Sequence, residues 1–282
     1  MASSRAVFTS LTGDYEKLNE FGVDAPDGVD RICFTDDPML TSSTWRVIHV
    51  PLALPSDPMR SQRVVKIVGH PELDGYSETL YVDNSVRLTV SPNEVLDNWL
   101  EHADLAIPRH SFRETVAAEF TEIRAAELET YARIDEQREH YEAEAPQVLS
   151  QRPYWNGMIA RRPSAPDVRA TMDLWMMHVL RYSRRDQLSI NFAIAATGIE
   201  AAQIPIDNYS SPFHEWPIRN HRKTGSQMAW RSRELEVYDR LERVTEERDQ
   251  LQANLDEVRS STSWRVTAPL RGLSDFLRPP TR

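Results

Sequence analysis

The sequence predicts an α/β fold: a mixed, mainly parallel β-sheet flanked by helices, with a long C-terminal helix set apart from it. Three observations carry this expectation. Short apolar runs alternate with turn clusters and one helical stretch over residues 5–110. The run Thr79-Leu80-Tyr81-Val82 leads straight into Asp83-Asn84-Ser85, an acid at a strand's carboxyl end, where open α/β sheets bind their ligands. From about residue 228 to 259 the pattern changes to a heptad of apolar positions.

The elements follow in order. Ala6-Val7-Phe8, Arg31-Ile32-Cys33-Phe34, residues 45–50 and residues 79–82 read as strands, each short and apolar. Residues 61–69 read as a helix with Val64, Val65 and Val68 on its inner side. Residues 112–153 read as a charged helical insertion. In it Val116, Phe120, Ile123, Tyr131, Ile134 and Tyr141 recur at helical spacing, as in a surface helix or helical hairpin with solvated charges, and Pro146 and Pro153 close it. Residues 155–160 read as a strand, and residues 173–182 and 185–197 as helices.

Residues 1–225 thus form one globular domain, 226–260 a coiled coil and 261–282 a basic amphipathic tail. Trp230, Val237, Leu241, Val244, Leu251, Leu255 and Val258 fill the apolar heptad positions, with Arg248 the polar exception. A coiled coil predicts a homo-oligomer; the alternative is a single helix packed on the globular domain. In the tail, Trp264, Val266, Leu270, Leu273, Phe276 and Leu277 alternate with Arg265, Arg271, Arg278 and Arg282. Such a stretch fits peripheral contact with a membrane surface, or a docked or disordered tail, since Pro269 interrupts it.

Composition narrows the function classes. The net charge of −10 implies no broad basic surface, which argues against a nucleic-acid partner. From Ser226 onward ten arginines face ten acids, so the acidic excess lies in the first 225 residues. An anionic nucleotide would have to be held by a few placed cations. The single cysteine, Cys33, excludes an intramolecular disulfide and reads as a buried strand residue. Residues 1–5 carry no apolar signal region and no run of about 18 apolar residues occurs, so the expected location is cytoplasmic, at most at the inner face of the membrane.

Three constellations could carry chemistry. A diphosphate leaving group needs countercharge, from a metal on carboxylates or from basic side chains. Asp83 is the first candidate, with Arg60, Arg63 and Lys66 upstream near one helix face; solvated surface cations are the alternative. The second is Arg184-Arg185-Asp186-Gln187, which opens a helix where anions are favoured, although Asp186 can equally be a helix cap. The third is His221-Arg222-Lys223, with His214 as a competing histidine.

The order of Val7-Phe8-Thr9-Ser10-Leu11-Thr12-Gly13-Asp14-Tyr15, Cys33-Phe34-Thr35-Asp36, Lys66, Tyr81-Val82-Asp83, Trp155-Asn156-Gly157-Met158, Arg185-Asp186-Gln187 and His221 resembles the glycosyltransferase-like domain once called domain of unknown function 616, which includes plant mucilage hexosyltransferase-like proteins. It is more distantly similar to glycosyltransferase family 8, retaining enzymes of the GT-A fold. The resemblance spans roughly residues 5–225. Residues 261–271 are also similar to a tail that follows coiled coils in bacterial glycan-synthesis glycosyltransferases.

The resemblance implies a GT-A-like domain that transfers a hexose from a nucleotide sugar, a UDP-sugar, to a glycan acceptor with retention, in bacterial surface-polysaccharide synthesis. It implies that Thr9, Gly13 and Tyr15 hold the nucleotide, that Asp36 contacts uracil or ribose, and that Lys66 reaches the diphosphate or the sugar; Arg63 and Arg185, read from the residues as cations placed for a phosphate, join it as donor-binding candidates. Asn156 and Gly157 would line the sugar side, and Asp186 and Gln187 would stand near the reacting anomeric carbon as catalytic residues. Asp83 would occupy the first Asp-x-Asp position and ligate Mn²⁺ or Mg²⁺ together with His221. Ser85 departs from that pattern, because it stands where the second carboxylate belongs. A metal held by two residues and a metal-free site built on Lys66, Arg63, Arg222 and Lys223 are both open. Two rival readings are a nucleotide-sugar- or glycan-binding module without catalysis, and a coiled-coil scaffold.

Overall fold

The computed structural model describes residues 4–22, 28–221 and 233–267. It divides into two compact units, residues 1–230 and 231–282. Arg222, Lys223 and Trp230, the side chain of Val237, and the tail beyond Thr267 lie outside the described residues or side chains.

The first unit is a seven-stranded sheet in the order β3-β2-β1-β4-β7-β6-β8. β1 (Arg5–Leu11), β2 (Asp30–Thr35), β3 (Arg46–His49) and β4 (Glu78–Val82) are parallel. Helix α1 (Pro58–Arg63) connects β3 towards β4. A short β5 (Arg87–Leu88) and α2 (Pro92–Trp99) follow β4, and then comes β6 (Leu105–Pro108). Helices α3 (Val116–Ala125), α4 (Tyr131–Glu144) and α5 (Pro146–Leu149) separate β6 from β7 (Met158–Arg161). β7 runs antiparallel to both its neighbours, β4 and β6. The order closes with α6 (Pro166–Arg181), α7 (Ile190–Thr197), the parallel edge strand β8 (Ala201–Ile204) and β9 (His214–Glu215), which pairs with β5.

The central strands are buried on both faces, as expected of a sheet covered on both sides. Alternation sends Ala6, Phe8, Ile32, Phe34 and Tyr81 into one core with Trp175 and Met172 of α6. Val7, Cys33, Leu80 and Val82 enter a second core with Leu96 and Trp99 of α2. Cys33 is fully buried, and burial, reinforced by Glu20, pushes its thiol up to about 12, so it is a core residue rather than a nucleophile.

Two local expectations change. The helix expected over residues 61–69 begins earlier, capped by Asp57 and opened by Pro58, and from Val64 to Val68 it widens into a π turn closed by Gly69 N–H on the Val64 carbonyl at 3.2 Å. The wider turn points Lys66 and Ile67 inward and leaves Val68 half exposed, so Val68 is not an inner residue. The insertion is a hairpin, α3 and α4, but not one of solvated charges alone. Its apolar face, Val116, Phe120, Ile123, Ile134 and Tyr141, packs against Leu188 and Phe192, and Glu119, Glu129 and Gln137 are buried with it, whereas Tyr131 is exposed.

In the second unit α8 (Arg233–Ser260) is a continuous helix followed by α9 (Thr262–Val266). Leu241, Val244, Leu251, Leu255 and Val258 are each more than 40% exposed. No helix among the described residues is long and apolar enough to cross a membrane.

Candidate functional site

The sheet order places β1 between β2 and β4, so connections leave β1's two sides in opposite directions. Such a switch point opens a crevice at the carboxyl ends of the strands. Here that crevice is lined by Thr12, Tyr15 and Glu16 after β1, by Met59, Gln62 and Arg63 of α1, by Asp83, Asn84 and Ser85 after β4, and by Arg185.

Asp83 is set by backbone and side chain together. Its N–H donates to the Gly157 carbonyl at 2.8 Å, which ties the end of β4 to the turn before β7. Tyr81, two residues earlier and thus on the same strand face, donates its hydroxyl to Asp83 Oδ1 at 2.5 Å. Burial, and then the Asp83 charge, raise the Tyr81 pKa well above the usual phenol range, so the hydroxyl keeps its proton and donates. Gln62 donates to the same hydroxyl at 2.7 Å.

The π turn delivers Lys66 into this corner. Its ammonium lies 2.8 Å from Asp186 Oδ2 and 3.6 Å from Asp83 Oδ1, so it bridges the two carboxylates. Arg63 Nε lies 3.2 Å from Asp186 Oδ2. Burial of the Asp186 carboxyl favours its neutral form, but Arg63, Lys66 and Arg185 outweigh burial and hold it at about 2. Burial likewise opposes the Arg63 charge, and Asp186 and Asp83 more than offset that, leaving its pKa raised.

Arg185 is the odd member. Burial and then repulsion from Arg63 lower its pKa, its buried Nε has no hydrogen-bond partner, and its Nη2 reaches only the Gln187 amide oxygen at 3.5 Å. The corner therefore groups three cations, Arg63, Lys66 and Arg185, around two carboxylates, Asp83 and Asp186, with Glu16 lining the same crevice. Arg185, which lines the crevice without a close ion pair, is the cation placed to meet an anion there.

The insertion holds this segment in place. Glu129 accepts from the Arg184 N–H at 3.0 Å and pairs with its guanidinium at 3.3 Å. Gln137 accepts from Ser183 N–H at 3.3 Å, and Trp175 of α6 donates its indole N–H to the Asp186 carbonyl at 2.9 Å. Asp186 opens a 3-10 turn, Asp186–Leu188, rather than capping a long helix.

The remaining expected residues divide. Gly13 has φ 73° and donates its N–H to Asp36 Oδ1 at 3.0 Å, so Asp36 shapes the loop after β1. Thr9 is buried, its hydroxyl without a partner, and Tyr15 lines the crevice. Asn156 is buried with neither amide atom paired. A Cβ on Gly157 would stand 2.4 to 2.8 Å from the Trp155 indole, so only glycine fits. Arg60, expected beside Arg63 and Lys66, turns away: it pairs with Asp57 at 2.6 Å and donates to the Val179 and Tyr182 carbonyls at 2.9 and 2.7 Å. It is a structural residue, drawn off by acceptors that the helical spacing does not reveal.

The loop bearing His221 is tied to this end of the sheet. Ile218 N–H donates to the Ser85 carbonyl at 2.7 Å, and Asn220 accepts from Lys17 N–H at 3.0 Å and donates to the Leu18 carbonyl. Asn84 Nδ2 donates to the Lys17 carbonyl at 2.9 Å, which closes the network next to Asp83. His221 itself is exposed at φ 52°, its Nδ1 3.0 Å from Asn220 Oδ1. His214 is buried between Ser211 and the Asn208 carbonyl, away from any metal role.

Among the described residues these donors form no preassembled divalent-ion site. Asp83 Oδ1 already accepts the Tyr81 hydrogen bond and faces the Lys66 ammonium. Ser85 is buried and accepts the Trp216 indole N–H at 3.2 Å. No group of three His, Cys, Asp or Glu side chains suited to a metal occurs among the described residues.

Gln62, Tyr81 and Asn84 are site residues that the sequence reading missed. Tyr81 carried a signal, because residues two apart on a strand share a face.

Residues 34–208, more than half of the chain, match the TOD1/MUCI70, glycosyltransferase-like domain. A probable hexosyltransferase MUCI70 of Arabidopsis thaliana is 30% identical over 155 residues, covering 52% of this chain and 27% of the plant protein, so the match spans about a quarter of that relative. Among solved structures, the WbbM bifunctional glycosyltransferase in its apo state gives a TM-score of 0.42 at 11% identity, over 73% of this chain and 39% of that one. Mouse xyloside xylosyltransferase 1, also apo, gives 0.39 at 11% identity, over 71% and 84%.

Proposed function

The chain belongs to the TOD1/MUCI70 glycosyltransferase-like domain family, and on that premise we propose that it transfers a hexosyl group from a nucleotide sugar, a UDP-hexose, to a hydroxyl of a glycan acceptor. The observation that carries the proposal is the three-cation corner, Arg63, Lys66 and Arg185 against Asp83 and Asp186, at the crevice beside β1 and β4.

In this reading the donor diphosphate enters the crevice and its oxygens meet Arg185 and Arg63, which line it, with Lys66 buried behind them. The bond from the anomeric carbon to the phosphate oxygen breaks, its electron pair going to that oxygen, where the cations stabilise the charge. The acceptor oxygen forms the new bond on the same face, and its proton passes to the departing phosphate oxygen. Retention follows the resemblance to family 8. Gln187 and Asn156 serve the sugar side, as the family resemblance implies. Asp186, buried in ion pairs, acts as a positioning residue that holds Lys66 and Arg63. The charge of the leaving group falls on side chains, so a divalent metal is not required.

The exposed apolar positions of α8 support self-association through a coiled coil. The tail resemblance at residues 261–271 supports a setting in bacterial surface-polysaccharide synthesis.

The test is a thermal-shift screen of nucleotide sugars on the full chain, followed by donor turnover with glycan acceptors. A stabilising UDP-sugar that is also turned over supports the proposal. Binding without turnover under every acceptor favours a binding module, and no binding of any nucleotide sugar refutes the donor site.

A further inference from the structure

Arg161 closes β7 at the opposite end of the sheet. It pairs in register with Thr79 at the start of β4, roughly 13 Å along that strand from Asp83. It is 2% exposed, yet no carboxylate stands within ion-pairing distance among the described residues. Its neighbour Arg162, by contrast, pairs with Glu78 and Asp104. Of its five N–H donors, one finds a partner, the Ile67 carbonyl, and its Nε is buried without any. Thr79, directly across the ladder and on the same face, is also buried with an unpartnered hydroxyl. Burial, with no countercharge to offset it, drags the Arg161 pKa down to about 10.

A buried, unpaired guanidinium is costly, and a structure that keeps one gains most when an anion completes it. Space for that anion exists. Arg161 lines a cavity of about 450 Å³ with Val68, Pro163, Val168 and Met172 as apolar wall, within the size range of small-molecule sites. Gly69, at φ 100°, borders the guanidinium: a Cβ there would make an ordinary contact of 3.8 Å with Arg161 Nη2. The exposed rim carries Asp74 and Asp173 against Arg169. Two rim acids disfavour a dianion, and the wall rewards an apolar body.

We propose that this cavity binds a small monocarboxylate with an apolar body, its carboxylate on the Arg161 fork and its hydrocarbon against Val68, Val168 and Met172. The site is independent of the donor crevice.

The probe is hexanoate, titrated into the full chain by calorimetry and thermal shift, with hexanol and inorganic phosphate as comparisons. Saturable hexanoate binding is expected, at least tenfold tighter than hexanol, with no saturable binding of phosphate. Arg161→Met removes the fork and abolishes the response. Ser164→Trp, on the exposed rim, keeps Arg161 and the fold but blocks the mouth, and abolishes the response too. Absence of hexanoate binding to the unmodified chain, binding unchanged in both variants, or binding of phosphate in preference to hexanoate would each overturn the proposal.

Discussion

Replacing Asp186 by Asn removes the acid that Lys66 and Arg63 share while keeping its shape. Its carboxyl is held at about 2 against an ordinary 3.8, which corresponds to roughly 2 kcal/mol of stability at neutral pH. The side chain is buried, so screening by solvent is slight. Loss of the acid also leaves Arg63, Lys66 and Arg185 facing one another with Asp83 as the remaining counterion, which brings the expected cost to about 3 kcal/mol. Because the folded-state pKa is depressed, the contribution is complete above about pH 4 and is lost as pH falls through 2. The assay is urea unfolding of both proteins by tryptophan fluorescence, from pH 7 down to pH 2.5. The gap between wild type and Asp186→Asn should be near 3 kcal/mol at pH 7 and should shrink below pH 4. UDP should stabilise the variant at least as much as the wild type, since an anion replaces the missing charge. A gap under 0.5 kcal/mol at pH 7, or one that does not narrow in acid, refutes the ion-pair account of this corner.

Other expected outcomes follow from the same geometry. Arg185→Met should weaken UDP binding by at least tenfold in calorimetry while changing unfolding free energy by less than about 1 kcal/mol, because burial and Arg63 oppose the Arg185 charge more than Asp186 and Glu119 favour it; unchanged affinity contradicts its role. Gly157→Ala should cost about 2 kcal/mol in thermal unfolding, because the new Cβ collides with the Trp155 ring that also stacks on His214; a loss below 0.5 kcal/mol means the indole moves freely. The full chain should sediment as a larger species than a chain ending at residue 225, and a monomer in both cases rules out the α8 coiled coil.

The parallel half of the sheet was legible because its strands are short, apolar and buried on both faces, a pattern that Ala6-Val7-Phe8 and Ile32-Cys33-Phe34 display openly. β6 and β8 were not, since Leu105–Pro108 ends on a proline and Ala201–Ile204 is a partly exposed edge strand with little alternation. The reversed direction of β7 is set by pairing with β4 and β6, which no local pattern encodes. Asp83, Lys66 and Asp186 were each singled out, and the structure brings all three into one ion-paired corner. The misplacement of Arg60 has a clear source. Helical spacing groups it with Arg63 and Lys66, but Asp57, Glu129 and two carbonyls claim it, and the π turn re-aims Lys66 after it. Ser85 stood out as a missing carboxylate; its burial under Trp216 depends on a residue 131 positions away.

The central claim is that side-chain cations, not a metal, bear the diphosphate of a nucleotide-sugar donor. The most direct measurement is release of UDP from a UDP-hexose that stabilises the protein, by the full chain and by Arg185→Met, in EDTA and in Mn²⁺. The account predicts wild-type turnover that survives EDTA and falls at least tenfold in the variant. Turnover that vanishes in EDTA, returns with Mn²⁺ and is indifferent to Arg185 would contradict it.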